Sequence, residues 1–252
     1  MKRQPFAIVV MLGLFVSLGN CPAADEEAIK AYNQGTTLMN QGKGREAIPY
    51  FDKALKLNPA YLAAWQNRGT SYMHLGEYDK ALSDAGEALK LKPDFGLAFQ
   101  LRAGVYSKQG NHQAAIKEAT EVIRLMPKFA PGYNLRGYSY YLLGDYNNGI
   151  KDFDETIKLN PTLVDPFYNR GNCKYVGAGD AAGALADYNK ALELKPDNPL
   201  VLGMRGVVLV RQGKDAEGQK DLDKCYSLNP ALKATYEPMV KAARELRARD
   251  KK

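Results

Sequence analysis

Residues 62–95 read LAAWQNRGTSYMHLGEYDKALSDAGEALKLKPDF, two apolar patterns divided by Gly76. In the first, Trp65, Gly69 and Tyr72 follow one another at steps of four and three, the period that lines residues along one helix face. In the second, Tyr78, Ala81 and Ala88 repeat that helical spacing. Gly76 stands where a left-handed residue ends a helix. Pro93 drives the residue before it out of the α region, so the second helix must stop there. The stretch predicts two helices folded back on each other. Small residues let their backbones approach, and aromatic side chains fill the grooves alongside.

The same pattern runs down the chain. Pro59, Pro93, Pro127, Pro161, Pro196 and Pro230 are 34, 34, 34, 35 and 34 residues apart. They close six units at 28–61, 62–95, 96–129, 130–163, 164–198 and 199–232. Small residues align in one column (Gly35, Gly69, Ala103, Gly137, Gly171, Gly206) and in a second (Ala47, Ala81, Ala115, Gly149, Ala184, Gly218). Large residues align at Trp65, Phe99, Tyr133, Phe167 and Leu202, and at Phe51, Phe153, Tyr188 and Leu222, where units two and three carry Ala85 and Ala119. A fixed period of this length marks a solenoid, in which each unit buries its apolar face only by stacking on its neighbours.

Trp65, Gly69, Tyr72, Gly76, Tyr78, Ala81, Ala88 and Pro93 together resemble the tetratricopeptide repeat, and the resemblance covers residues 28–232. It implies an all-α fold: a right-handed superhelical solenoid of stacked antiparallel helix pairs. There are local departures. Pro49 falls inside the second helix of unit one and is expected to distort it. The extra residue of unit five, around Gly177, Ala178 and Gly179, is expected to lengthen its turn. Residues 233–252 read as a capping helix and basic tail, with Leu232, Tyr236, Met239, Val240, Ala243 and Leu246 on one face. Pro238 places the start of that helix near Glu237.

Residues 1–24 have the layout of a secretory signal: Lys2 and Arg3, an apolar run from Phe6 to Leu18, then small and polar residues. Residues 25–27 form a short lead into the repeats. Two fates are open, cleavage after Ala24 or lipidation at Cys21, because Leu18-Gly19-Asn20-Cys21 resembles a bacterial lipoprotein box. Either implies an exported chain, periplasmic or secreted. Membrane contact is expected only if Cys21 is lipidated or the signal stays uncleaved. Export argues against nucleic acid as a partner. The net charge is +7, with seven basic residues against three acidic ones in 231–252. That excess reads as a solvated helix end whose cations complement the helix dipole. Cys173 and Cys225 fall in separate environments and read as two free, buried thiols.

The residues offer no catalytic constellation, metal set or cofactor motif. His74 and His112 lie in different units, and no carboxylate is paired with a general base. One polar column stands out: Arg68, Arg102, Arg136, Arg170 and Arg205, with Gln34 in unit one. Arginine stems there can pack on apolar surface while the guanidinium reaches backbone carbonyls at the end of the preceding helix. The other reading is an anion-binding ladder, which needs the heads to converge on an open surface.

The resemblance implies that the first helices line a concave groove. Their exposed stripe would hold Tyr32, Gln66, Thr70, Gln100, Lys108, Asn134, Tyr138, Tyr141, Tyr168, Asn172 and Tyr175. Amides can bind an extended peptide backbone, and tyrosines supply rigid amphipathic contact area. The implied function is a non-enzymatic scaffold that binds a peptide segment or partner surface. The alternative is a lipid-anchored assembly factor of a bacterial cell-envelope complex. Exposed repeat faces can also stack on a second copy.

Overall fold

A computed structural model describes residues 22–250. They form thirteen α-helices and one 3-10 turn, with no strand among the described residues. Contacts group the helices into two compact units that meet at Pro127 and Lys128. The first holds three pairs: α1 (Pro22–Asn40) with α2 (Gly44–Leu57), α3 (Leu62–Leu75) with α4 (Tyr78–Leu91), and α5 (Gly96–Lys108) with α6 (His112–Leu125). The second holds α7 (Ala130–Leu142) with α8 (Tyr146–Leu159), α9 (Val164–Ala178) with α10 (Ala181–Leu194), and α11 (Pro199–Arg211) with α12 (Asp215–Leu228). The turn Pro230–Leu232 then leads into α13 (Lys233–Arg249). Within each unit the paired helices pack each on the next, first helices also touch the first helices of adjacent pairs, and α13 packs on α11.

Two kinds of joint repeat. Inside each pair a glycine takes a left-handed conformation, with φ between 64° at Gly179 and 87° at Gly213, and no other described residue type does so. Between pairs, the residue before each of these prolines lies outside the α region, as at Lys92 (φ −143°) and Asn160 (φ −147°). The proline ring excludes the α region there and ends the helix.

Packing centres on the small-residue columns. A Cβ built on Gly35 would lie 2.6 Å from the Phe51 ring, and one on Gly171 would lie 2.6 Å from the Tyr188 ring. Gly206 and Gly218 bring their backbones together, each blocking a Cβ on the other within 2.9 Å. Where unit two has Ala85 in place of a large residue, Leu101 from α5 fills the space. Its Cδ2 would lie 2.4 Å from a Cβ on Gly69, and Leu101 is itself buried.

Four sequence expectations are corrected. Helix α2 runs through Pro49 without a break, carried by the buried face of Ala47, Phe51, Ala54 and Leu55. Helix α13 starts at Lys233 and passes through Pro238. Tyr236 fixes its first turns by packing on Gly203 and donating to the Leu200 carbonyl at 3.0 Å. The added residue of unit five lengthens α9, not the turn. There the N–H of Asp180 reaches back to the Lys174 carbonyl, whereas the N–H of Asp145 reaches the nearer Tyr140 carbonyl. In the capping helix, Tyr236, Val240 and Ala243 are buried but Leu246 is 47% exposed. Arg247 turns inward instead, donating to the Val210 carbonyl at 2.8 Å and pairing with Asp215 at 2.9 Å.

Cys173 and Cys225 are free and buried. Burial pushes the Cys173 thiol up to about 12, so it stays protonated near neutral pH. Both thiols should resist iodoacetamide in the native protein and react once denaturant is added; rapid native labelling of either would contradict this packing. Trp65 is only half-buried, and its indole N–H donates to the Pro59 carbonyl at 2.8 Å. Trp65→Ala should therefore cost about 2–3 kcal/mol, below the range for a fully buried tryptophan. Hydrogen exchange should rise first in α2, α3 and α4.

Candidate functional site

Five of the six first helices, all but α1 with its Gln34, carry an arginine beside the small residue, and the close crossing aims that arginine at an acid on its own second helix. Arg68 grips Asp84 with Nε at 3.0 Å and Nη2 at 2.7 Å. Arg136 grips Asp152 (2.8 and 2.7 Å), Arg170 grips Asp187, and Arg205 grips Asp221 (2.6 and 2.8 Å). The third guanidinium nitrogen reaches the second helix of the preceding pair: Arg68 to Asp52, Arg170 to Asp154, and Arg205 to Asn189. The expected partners, backbone carbonyls, are replaced by carboxylates. In these pairs the anion ladder is already filled by the chain's own acids. The forks of Arg68, Arg170 and Arg205 each tie three helices together. Asp84, Asp152, Asp187 and Asp221 are almost fully buried, so these pairs are desolvated and their geometry matters.

The pair at Arg102 differs. Only Nη2 bonds, to Glu118 Oε1 at 2.7 Å. The other carboxylate oxygen, Oε2, is buried without a hydrogen-bond partner. Burial raises the carboxyls of both Asp84 and Glu118 above the usual range, with the adjacent arginines opposing it.

The stripe residues fall into three groups. Some belong to internal packing. Tyr32 stacks near Tyr61 with ring centres 4.8 Å apart and accepts a hydrogen bond from Asn67 Nδ2 at 3.1 Å. Asn172 is 4% exposed and accepts the Tyr188 hydroxyl at 2.8 Å, so it is not free of the core. Tyr168 and Tyr175 are partly buried against the core of the second unit. A second group has unused hydrogen-bonding capacity. Gln66 Oε1, on α3, and Asn134 Oδ1, on α7, are buried without a partner. Thr70 donates to the Gln66 backbone carbonyl at 2.8 Å. The third group is open or half-open. Tyr138 is 38% exposed, with its ring 6.3 Å from that of Tyr141. Gln100 is half-buried and Lys108 is exposed. His74 is held below the usual imidazole range by burial and then by Lys108. On α11 the equivalent positions Gly203, Val207 and Val210 lie buried in the core cluster that includes Tyr236 of α13.

Profiles of the tetratricopeptide repeat match residues 32–94 and 130–163, and a further TPR repeat profile matches 174–213. The chain belongs to the tetratricopeptide repeat family. The BBSome complex member bbs-4 of Caenorhabditis elegans is 40% identical over 53 residues, which is 21% of this chain and 12% of that protein. The crystal structure of the APC/C hetero-tetramer Cut9-Hcn1 superposes with a TM-score of 0.77 at 20% identity, covering 86% of this chain and 43% of that one. YrrB, described as a TPR protein with an unusual peptide-binding site, gives a TM-score of 0.54 at 23% identity over 71% of this chain and 92% of its own. The chain thus spans a small part of bbs-4 and under half of the Cut9-Hcn1 chain. The two structural likenesses bear on the fold, an α-helical solenoid of paired helices.

The sequence reading missed the acid column. Its signal was available: Asp84, Glu118, Asp152 and Asp221 each follow their arginine by sixteen residues, and Asp187 by seventeen across the longer unit. Arg205→Met should cost about 3 kcal/mol, because it strands the buried Asp221 carboxylate. Arg170→Met should cost less, since Lys174 Nζ stays 2.8 Å from Asp187. Equal losses in urea unfolding would refute this ordering. Gly86 is the one position in the first unit where a fork lacks its preceding-pair partner. Gly86→Asp should raise stability beyond the ~1 kcal/mol expected of Gly86→Ala, and the excess should vanish in an Arg102→Met background.

Proposed function

We propose that this chain is a non-enzymatic scaffold that uses its first helices to hold an extended peptide segment of a partner protein. The observation that carries this reading is the pair of unpartnered amide oxygens on Gln66 and Asn134, which occupy the same position in their repeats. A buried acceptor left unpaired costs about 1–3 kcal/mol, and a passing peptide N–H supplies the missing donor whatever its side chain. Tyr138, exposed four residues along α7 from Asn134, offers an aromatic anchor beside that acceptor. In the first unit, Gln100 and Lys108 on α5 and Thr70 on α3 are the residues that the same reading assigns to peptide contact. YrrB is described as having a peptide-binding site, and the two other similar proteins are named as members of multi-protein complexes.

We also propose that the protein acts after export. Lys2, Arg3 and the apolar run Phe6–Leu18 support this, and they lie outside the described residues, as does Cys21. If Cys21 carries lipid, the scaffold becomes a membrane-tethered assembly factor. Mass spectrometry of the native N-terminus separates the two: a chain starting at Asp25 means simple cleavage, one starting at a diacylated Cys21 means a tether, and an intact Met1 refutes both.

Partner capture from a native extract tests the groove. The Asn134→Ala/Tyr138→Ala variant should keep its helicity and lose the captured protein, since an aromatic anchor alone is worth about 2 kcal/mol or more. Capture with unchanged affinity would remove the stripe from consideration.

A further inference from the structure

The arginine forks show what ligand one of them lacks. At Arg68 and Arg170 the Nη1 edge is filled by an aspartate of the preceding pair, Asp52 or Asp154. Those aspartates have side chains 50% and 52% exposed, so the place they occupy is open to solvent. At Arg205 the same place is taken by Asn189 Oδ1, again an acceptor oxygen. At Arg102 the equivalent residue is Gly86, and a Cβ built there would meet nothing within 4 Å. Three features follow. Arg102 has the most exposed side chain of the five forks, 31% against 17–25% elsewhere. Its Nη1 and Nε carry no hydrogen bond. Its own acid, Glu118, is 94% buried yet engages through one oxygen only, leaving Oε2 unpartnered. The fork is therefore held in place but incompletely used.

We propose that Arg102, where it emerges between α4 and α6 beside Gly86, is a receptor for the carboxylate of an aspartate or glutamate side chain on a partner protein. The chain supplies that ligand internally at two other repeats, which shows that a second carboxylate fits a fork already engaged by its own acid. The geometry is that of a charge-assisted bond to a planar donor whose position is fixed by Glu118 and by the Phe99 ring, 5.9 Å away. Arg102 is two residues from Gln100, roughly 200° around α5. The receptor thus lies on the opposite side of the helix from the stripe, and a partner could hold it while a peptide occupies the groove.

The full chain, with its arginine side chains labelled with nitrogen-15, tests this by nuclear magnetic resonance. The Arg102 signals are assigned by their loss in Arg102→Lys. The probe is N-acetylaspartic acid N-methylamide, with the asparagine analogue as its neutral control. Saturable shifts of the Arg102 signals with the acidic probe, and none with the neutral one, are expected. They should persist in Gly86→Ala, which leaves the place open, and disappear in Gly86→Asp, which fills it from within. No saturable shift, equal shifts from both probes, or a response that survives Gly86→Asp would each overturn the proposal.

Discussion

Two helices can share a turn of only a few residues and still bury a continuous face if their backbones nearly touch where they cross. In this chain the touching points are Gly69, Gly137 and Gly206 on the first helices, set against the backbones of Ala81, Gly149 and Gly218 on the second, with Gly35 and Gly171 held against the rings of Phe51 and Tyr188. A side chain at Gly171 would collide with the Tyr188 ring, and one at Gly206 with the Gly218 carbonyl. The consequences radiate from that approach. It seats the fully buried rings of Phe51, Phe153 and Tyr188 over the crossing. It also carries the neighbouring arginine to within hydrogen-bond reach of an acid on the opposing helix, so the buried ion pair follows from the crossing. The packing sets the distance, and the fork then fixes the rotation of one helix against the other.

Much of this could be read from the residues. Prolines at a near-constant step, each preceded by a residue outside the α region, and glycines that adopt positive φ are backbone constraints, and such constraints are written locally. The caps at Asp145 and Asp180 are local in the same sense: each accepts from the backbone N–H three residues on. Partnerships between distant side chains were less legible. The arginine column was visible, but its acids were not paired with it, because a carboxylate in the middle of a helix looks like any solvated charge until the crossing angle is known. Pro49 and Pro238 misled for a related reason. Local propensity argues for distortion at Pro49 and a later start at Pro238, whereas the buried faces of α2 and α13 keep both helices whole.

The stripe shows the same division. Sequence placed its residues on the first helices, but could not tell that Tyr32 and Asn172 spend their polar groups on Asn67 and Tyr188 while Gln66 and Asn134 keep an oxygen in reserve. Whether a polar residue is available depends on what faces it from the adjacent pair. At the C-terminal end that neighbour is α13. Tyr236 and Arg247 close off α11, and Arg247 adds a second donor to the Val210 carbonyl, which already accepts from the backbone N–H of Gly213.

The additional residue in α9 illustrates how such an array tolerates errors of length. One residue inserted in a long helix rotates everything after it by about 100° and scrambles every downstream contact. Here the surplus is taken up between Lys174 and Asp180, and Gly179 ends the helix in the same left-handed geometry as its counterparts. Asp180 then starts α10 afresh, with Tyr188 and Asp187 back in their proper places. Each joint thus resets the phase of the chain. Copying slips stay confined to the repeat in which they occur, which is how an array of this kind can gain or lose residues, and whole repeats, over its history without losing its fold.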